Sequence, residues 1–253
     1  MNKRNWKMND RRTDDVTRSI APGTAEAVFG DSSDFPAVNA HIVEYTRSLI
    51  PDLPEWLAET ERRAKQEEVP IIRKEAQGLL RFLLSAKNPG TILEIGTAVG
   101  FSASFFEYCT GFRVPLTTIE KVPARIEAAK ALFASREELS KITLLTGDAA
   151  EVLSQLAAEQ QKFDFIFLDA AKAQYPVYLS LVRQLLADGA WFVADNVLQE
   201  GSIAESKFTV QRRDRTIHMR MREFVDELYR DDEFVSALLP VGDGMTVSVY
   251  RRR

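Results

Sequence analysis

Five short apolar runs in the latter part of this chain end in residues that could hold a ligand, and the residue types differ from run to run. The first leads into Leu93-Glu94-Ile95-Gly96-Thr97-Ala98-Val99-Gly100-Phe101-Ser102. Gly96 and Gly100 permit a tight turn and a close backbone approach, with the N–H groups of a following helix aimed at whatever binds there. Two glycines fall short of G-x-G-x-x-G, and no Gly-Lys-Ser/Thr follows, so neither the dinucleotide fingerprint nor the phosphate-binding P-loop is present. Glu94 sharpens the choice. A carboxylate just before the turn repels a pyrophosphate but suits a ligand carrying positive charge, and S-adenosylmethionine carries both an ammonium and a sulfonium. The second run ends at Glu120, where an acid can accept hydrogen bonds from a ribose diol. The third ends in Gly147-Asp148-Ala149, placed to contact an adenine amino group. One such acid alone would read as a helix cap or a solvated charge. Three at consecutive strand ends read as a nucleoside pocket.

The fourth and fifth runs carry a second constellation, Asp169-Ala170-Ala171-Lys172 and Asp195-Asn196. Neighbouring strand ends would gather Asp169, Asp195 and Asn196 as hard oxygen ligands. That set suits Mg2+, which takes one or two carboxylates and leaves positions for water and substrate oxygens. Zinc is disfavoured, because the only histidines, His41 and His218, sit at no strand end. Lys172, one helical turn beyond Asp169, is a candidate base or charge stabiliser for a substrate hydroxyl.

The elements that must position these residues follow from periodicity. Short, continuously apolar strands at 91–95, 115–119, 142–145, 163–168 and 190–194 alternate with helical stretches at 101–109, 123–135, 149–159 and 175–186, which predicts a parallel sheet covered on both faces. A helix near 214–229 and a hairpin of 234–240 and 246–250, turning at Gly242-Asp243-Gly244, close the chain. The predicted fold class is therefore α/β, a seven-stranded Rossmann-like sheet of five parallel strands plus a C-terminal antiparallel hairpin. Three helices precede it, at 37–50, 55–68 and from Pro70 to about Asn88. Residues 1–36, polar and broken by Pro22-Gly23 and Gly30, read as a flexible leader, and 37–253 as one domain.

Composition narrows the setting. The chain has 253 residues, 45% hydrophobic and 28% charged, with a net charge of −4. That suits a globular protein with a core of its own and gives no general attraction to nucleic acid. No apolar run approaches a membrane span, and no signal-like segment opens the chain. The single cysteine, Cys109, reads as a buried thiol, so a reducing, cytoplasmic setting is expected.

The motifs Val69-Pro70-Ile71, 94–102, Ile119-Glu120, Gly147-Asp148-Ala149, Asp169-Ala170-Ala171-Lys172 and Asp195-Asn196-Val197 resemble those of the catechol and caffeoyl-CoA O-methyltransferase-like family of class I methyltransferases, from about Ala37 to Tyr250. The resemblance implies S-adenosylmethionine and Mg2+ as cofactors. It implies cofactor contacts at Glu94, Gly96, Ser102, Glu120, Asp148, Ala149 and Asp169, with Pro70 and Ile71 near the methionine end. It also implies metal ligation by Asp169, Asp195 and Asn196, with Lys172 and Asp169 as catalytic residues and a homodimer as the assembly. Within the family, 169–175, Asn196-Val197-Leu198 and Leu239–Gly244 look most like the bacterial branch that methylates 5-hydroxyuridine in tRNA.

The substrate is the open point, because fold and chemistry do not fix it. Lys207, Arg212, Arg213 and Arg215, followed by Arg220 and Arg222, form a local basic surplus on an acidic chain and read as phosphate contacts to a tRNA anticodon loop. The rival is a small catechol-like phenol. An NAD-dependent oxidoreductase is disfavoured by the missing third glycine and by Glu94. A non-catalytic RNA-binding module is disfavoured by the intact metal and cofactor positions.

Overall fold

The structure, a computed structural model, describes residues 40–253. The expected leader, and the first three residues of the helix expected from Ala37, lie outside the described residues. Three helices come first: α1 (Ala40–Leu49), α2 (Glu55–Gln66) and α3 (Lys74–Lys87). The alternating part follows as β1 (Ile92–Ile95), α4 (Phe101–Cys109), β2 (Leu116–Glu120), α5 (Pro123–Ala134), β3 (Ile142–Thr146), α6 (Ala149–Ala158), β4 (Phe163–Leu168), α7 (Tyr175–Leu185) and β5 (Leu186–Ala194). α8 (Arg215–Arg230), β6 (Phe234–Leu239) and β7 (Met245–Tyr250) complete the chain.

The strands form one sheet in the order β3-β2-β1-β4-β5-β7-β6. β1 to β5 are parallel, and β7 runs antiparallel to both β5 and β6. The strand order reverses between β1 and β4. In an open parallel sheet that switch point opens a crevice beyond the carboxyl ends.

Alternation along the central strands builds a core on each face. Leu93, Ile95, Ile166, Leu168 and Phe192 face α6, α7 and α8. Ile92, Phe165, Phe167 and Val193 face α2, α3 and α4, where Phe106 meets Phe167 edge to face with ring centroids 5.2 Å apart. The continuous apolar runs are thus explained by burial on both sides. β3 is the exception: it lies at the sheet edge and is only partly covered.

Three expectations shift. The third helix starts at Lys74 rather than Pro70; Pro70 to Arg73 is not helical, and Arg73 caps α3 with φ −65° and ψ 155°. The β-branched Ile71 and Ile72 disfavour a first helical turn there. β5 starts at Leu186, directly from α7, four residues before the apolar run suggested. α1 has the predicted periodicity, but Ile42, Tyr45 and Leu49 on it are exposed and none of its residues is buried. It is held to α3 by Arg47, whose Nε donates to Glu75 Oε2 at 2.7 Å. Among the described residues, no helix is long and apolar enough to cross a membrane.

Candidate active site

Strand register gathers the site. Ile95 pairs with Leu168, and Leu168 with Ala194. The next residues, Gly96, Asp169 and Asp195, therefore leave the sheet side by side. The ladder continues one step beyond the strands, with Asp169 N donating to the Ile95 carbonyl at 3.0 Å and Asp195 N to the Leu168 carbonyl at 2.9 Å. Beneath them the buried Tyr175 hydroxyl donates to the Asp195 carbonyl at 3.0 Å. Burial pushes that phenol well above its usual range.

One cavity of about 660 Å3 opens there. It is lined by the expected residues Pro70, Ile71, Gly96, Ser102, Glu120, Ala149, Asp169, Lys172, Asp195 and Asn196. Its cofactor end is the glycine turn. Gly96 and Gly100 have φ of 108° and 88°, and Ala98 between them has φ 46°. Glu120 staples this turn: its Oε2 accepts Ala98 N at 2.8 Å, while Oε1 accepts Lys121 N and Val122 N at 2.8 and 2.9 Å. A carboxylate offers about four lone-pair sites, so one remains for a ligand hydroxyl.

Two expected contacts lie outside the cavity lining. Glu94 is fully buried; its Oε2 accepts from Thr118 Oγ1 at 2.5 Å, and its Oε1 has no partner. Burial pushes its carboxyl up to about 7, against hydrogen bonding from Ser102 and Thr118. Asp148 caps α6 by accepting Ala150 N at 3.0 Å, and it lies 3.3 Å from Lys121 Nζ.

At the other end the second constellation comes together. Asn196 Nδ2 donates to Asp169 Oδ1 at 3.0 Å, and Asn196 N to Asp195 Oδ1 at 2.7 Å. Burial, followed by the neighbouring Asp169 charge, raises the Asp195 carboxyl to about 7, and burial raises Asp169 as well. A buried carboxylate and a half-buried one that repel each other beside an amide fit a hard divalent cation, which would relieve that repulsion. Among the described residues, no three His, Cys, Asp or Glu side chains form a group that could hold a metal, so a set of two carboxylates and one amide is what the chain offers.

Sequence reasoning missed several lining residues, among them the charged Asp243 and Arg73. Asp243 lines the cavity from the β6–β7 turn and lies 3.9 Å from Lys172 Nζ. Arg73 lines it from the segment before α3. Both sit outside the strand-end motifs; the Gly-Asp-Gly turn that carries Asp243 reads as a hairpin turn and as part of a family motif, and neither reading makes it a site residue. The four proposed RNA contacts lie outside the cavity lining. Lys207, Arg212 and Arg213 are exposed, whereas Arg215 donates to the carbonyls of Val210 and Phe208 at 3.2 and 3.4 Å. Cys109 is half-buried, and burial pushes its thiol up to about 12, which removes it as a nucleophile.

This is the Rossmann-like sheet of class I methyltransferases, with the cavity at its switch point. Residues 46–252 match the model of an O-methyltransferase family, and the chain belongs to that family. It is similar to O-methyltransferase ankF of Aspergillus thermomutatus, 28% identical over 220 residues that cover 83% of this chain and 91% of that one. It is also similar to the catechol O-methyltransferase of Niastella koreensis, 33% identical over 132 residues, 52% of this chain and 58% of that one. In fold it resembles the O-methyltransferase TomG of Streptomyces achromogenes in complex with SAM, with a TM-score of 0.73, 23% identity and coverage of 84% of this chain and 96% of that one.

Proposed function

We propose that this chain transfers a methyl group from S-adenosylmethionine to a ring hydroxyl, with a divalent cation held by Asp169, Asp195 and Asn196. The observation that carries the reading is the shared cavity, with Glu120 and the glycine turn at one end and the two carboxylates, Asn196 and Lys172 at the other. When bound, S-adenosylmethionine supplies a methyl carbon made electrophilic by its sulfonium. A divalent cation, when bound, supplies a Lewis acid that lowers the pKa of a substrate hydroxyl and orients it. Glu120 would receive one ribose hydroxyl with its remaining acceptor site, and Pro70 and Ile71 would wall the methionine end. Lys172 would take the hydroxyl proton or stabilise the oxyanion left behind. The rigid strand ends would hold acceptor and donor in line, the main source of rate in such a transfer.

For the acceptor, the names of relatives support a small phenol. They include catechol O-methyltransferases from Niastella koreensis and Mycobacterium tuberculosis and the caffeoyl-CoA O-methyltransferase of Stellaria longipes. A second reading is 5-hydroxyuridine at the tRNA wobble position, giving 5-methoxyuridine. The exposed Lys207, Arg212 and Arg213 favour it, as does an acceptor hydroxyl acidic enough for the same chemistry. Methyl transfer from labelled S-adenosylmethionine to a catechol panel and to bulk tRNA, with and without Mg2+, tests both. Label in catechols alone supports the small phenol, and label in tRNA supports the nucleoside. Full activity in excess chelator removes the metal from the reading.

A further inference from the structure

Lys172 does not stand alone at the mouth of the site. Its Nζ lies 3.9 Å from Asp243 Oδ2, a carboxylate brought in by the turn of the C-terminal hairpin. Asp243 is buried, and its other oxygen, Oδ1, accepts Glu200 N at 2.5 Å. Two further bonds clamp this turn to the segment after Asn196. Leu198 N donates to the Asp243 carbonyl at 2.9 Å, and Val197 N to the Gly244 carbonyl at 3.0 Å. The approach is so close that a Cβ on Gly244 would lie 2.2 Å from Leu198 Cγ. The carboxylate is thereby held from its backbone and from one oxygen, with the second oxygen turned toward the lysine.

The turn itself needs no charge at this position. An asparagine would accept the Glu200 amide equally well, so the negative charge is the part the hairpin leaves unexplained. Its effect falls on Lys172. A lysine has a long, flexible stem, and the nearest alternative anions are the Asp169 and Asp195 carboxylates, the proposed metal ligands. Asp243 competes with them from the hairpin turn, which packs on the segment just after Asn196. At 3.9 Å the pair attracts without a short hydrogen bond, which leaves the lysine's donors available to a substrate oxygen.

We propose that Asp243 is the positioning residue of Lys172. It fixes where the lysine's ammonium stands at the acceptor end of the cavity, and through Glu200 N it ties that position to the segment leading into the basic region. The proposal rests on the catalytic role given to Lys172 above.

Asp243→Asn keeps an oxygen for Glu200 N and removes the charge. With whichever acceptor the wild type methylates, kcat should fall roughly tenfold to a hundredfold, the scale of a misplaced catalytic group. KM and S-adenosylmethionine affinity should move by less than about twofold, and Asp243→Glu should recover part of the loss. In a Lys172→Met background, Asp243→Asn should cost nothing further, because it acts through the lysine. An unchanged kcat, or the same loss in both backgrounds, overturns the proposal alone. Wild-type rates from Lys172→Met would overturn the role of the lysine, and this proposal with it. Should Asp243→Asn melt early, Asp243→Ser, which also keeps an oxygen, takes its place in the same cycle.

Discussion

A Cβ placed on Gly96 would lie 2.0 Å from the carbonyl oxygen of Asp169. No side chain fits that gap, and the φ of 108° at Gly96 is one that L residues rarely adopt. The contact joins the two halves of the site: the turn that faces the cofactor end is packed directly on the backbone of a proposed metal ligand. Gly96→Ala must therefore push β1 and β4 apart at their carboxyl ends. We expect a loss of stability of about 2–4 kcal/mol, together with loss of S-adenosylmethionine binding. Denaturant unfolding and calorimetry check this, and a variant that binds the cofactor like the wild type would show that the turn is more compliant than its packing implies.

How much of this could be read from residue types depends on whether the determinant was local. Asp169 and Asp195 were legible because an acid ending a buried parallel strand has few other uses, and register then places neighbouring strand ends together. The order of the strands, and hence the contact between Gly96 and Asp169, was legible only as a consequence of fold class. Asp243 was not legible as a site residue, because its Gly-Asp-Gly setting is a sufficient reason for a turn. The non-helical stretch from Pro70 to Arg73 reads as helix in the sequence because its apolar residues suit the helix that follows, and proline is tolerated at a helix start. The apolar face of α1 shows the converse: periodicity revealed the helix but not whether its face would be covered.

Glu94 makes cofactor affinity depend on pH. Its carboxyl is raised to about 7 by burial, with Ser102 and Thr118 acting against it and Asp169 and Glu120 adding like charge. Near neutrality the free protein holds this proton part of the time. A ligand with an ammonium and a sulfonium favours the ionised form, so binding releases the proton. Affinity should then rise by about tenfold from pH 6 to pH 8 and level off above the raised pKa. Titration calorimetry in buffers of different ionisation enthalpy would detect the proton released. Glu94→Gln should abolish both the slope and the release; a slope that survives this substitution would place its origin elsewhere, with Asp169 and Asp195 the next groups to test.

Glu107, on α4 and away from the cavity, carries a different linkage. It is 0% exposed, and neither carboxylate oxygen has a hydrogen-bond partner. Burial raises its carboxyl from 4.5 to about 7, with Lys141 pulling the other way. The folded state thus binds the proton more tightly than the unfolded chain. The stabilisation is complete below about pH 4.5 and is lost as pH rises through 7. Between about pH 5.5 and pH 8 this one group should cost about 2 kcal/mol. Denaturant unfolding at the two pH values should show the wild type losing more stability than Glu107→Gln by that amount; equal losses would mean that the carboxyl reaches water or a partner in solution.

The basic region separates the two candidate acceptors, and its arginines divide by what they already touch. Arg222 Nη1 donates to the carbonyls of Ile203 and Glu205 at 3.3 and 3.2 Å, and Arg215 holds those of Val210 and Phe208. These two shape the segment between β5 and α8. Arg212 is exposed, and Arg213 meets only Asp214, at 3.5 Å, an exposed pair worth little in water. Phe208, 75% exposed beside Lys207, offers an aromatic face next to positive charge, a combination suited to an unstacked base and its phosphate. If tRNA is the acceptor, replacing Arg212 and Arg213 together by alanine should weaken its binding most at low salt. The slope of log affinity against log salt should fall by about 1–2, one phosphate contact per arginine. Catechol methylation and cofactor affinity should stay as they were, because neither residue lines the cavity. Replacing Arg222 instead should loosen the segment and lower thermal stability with no change in salt slope. Equal tRNA methylation by the double variant and the wild type at every salt concentration would make this region a solvated face and leave the small phenol as the acceptor.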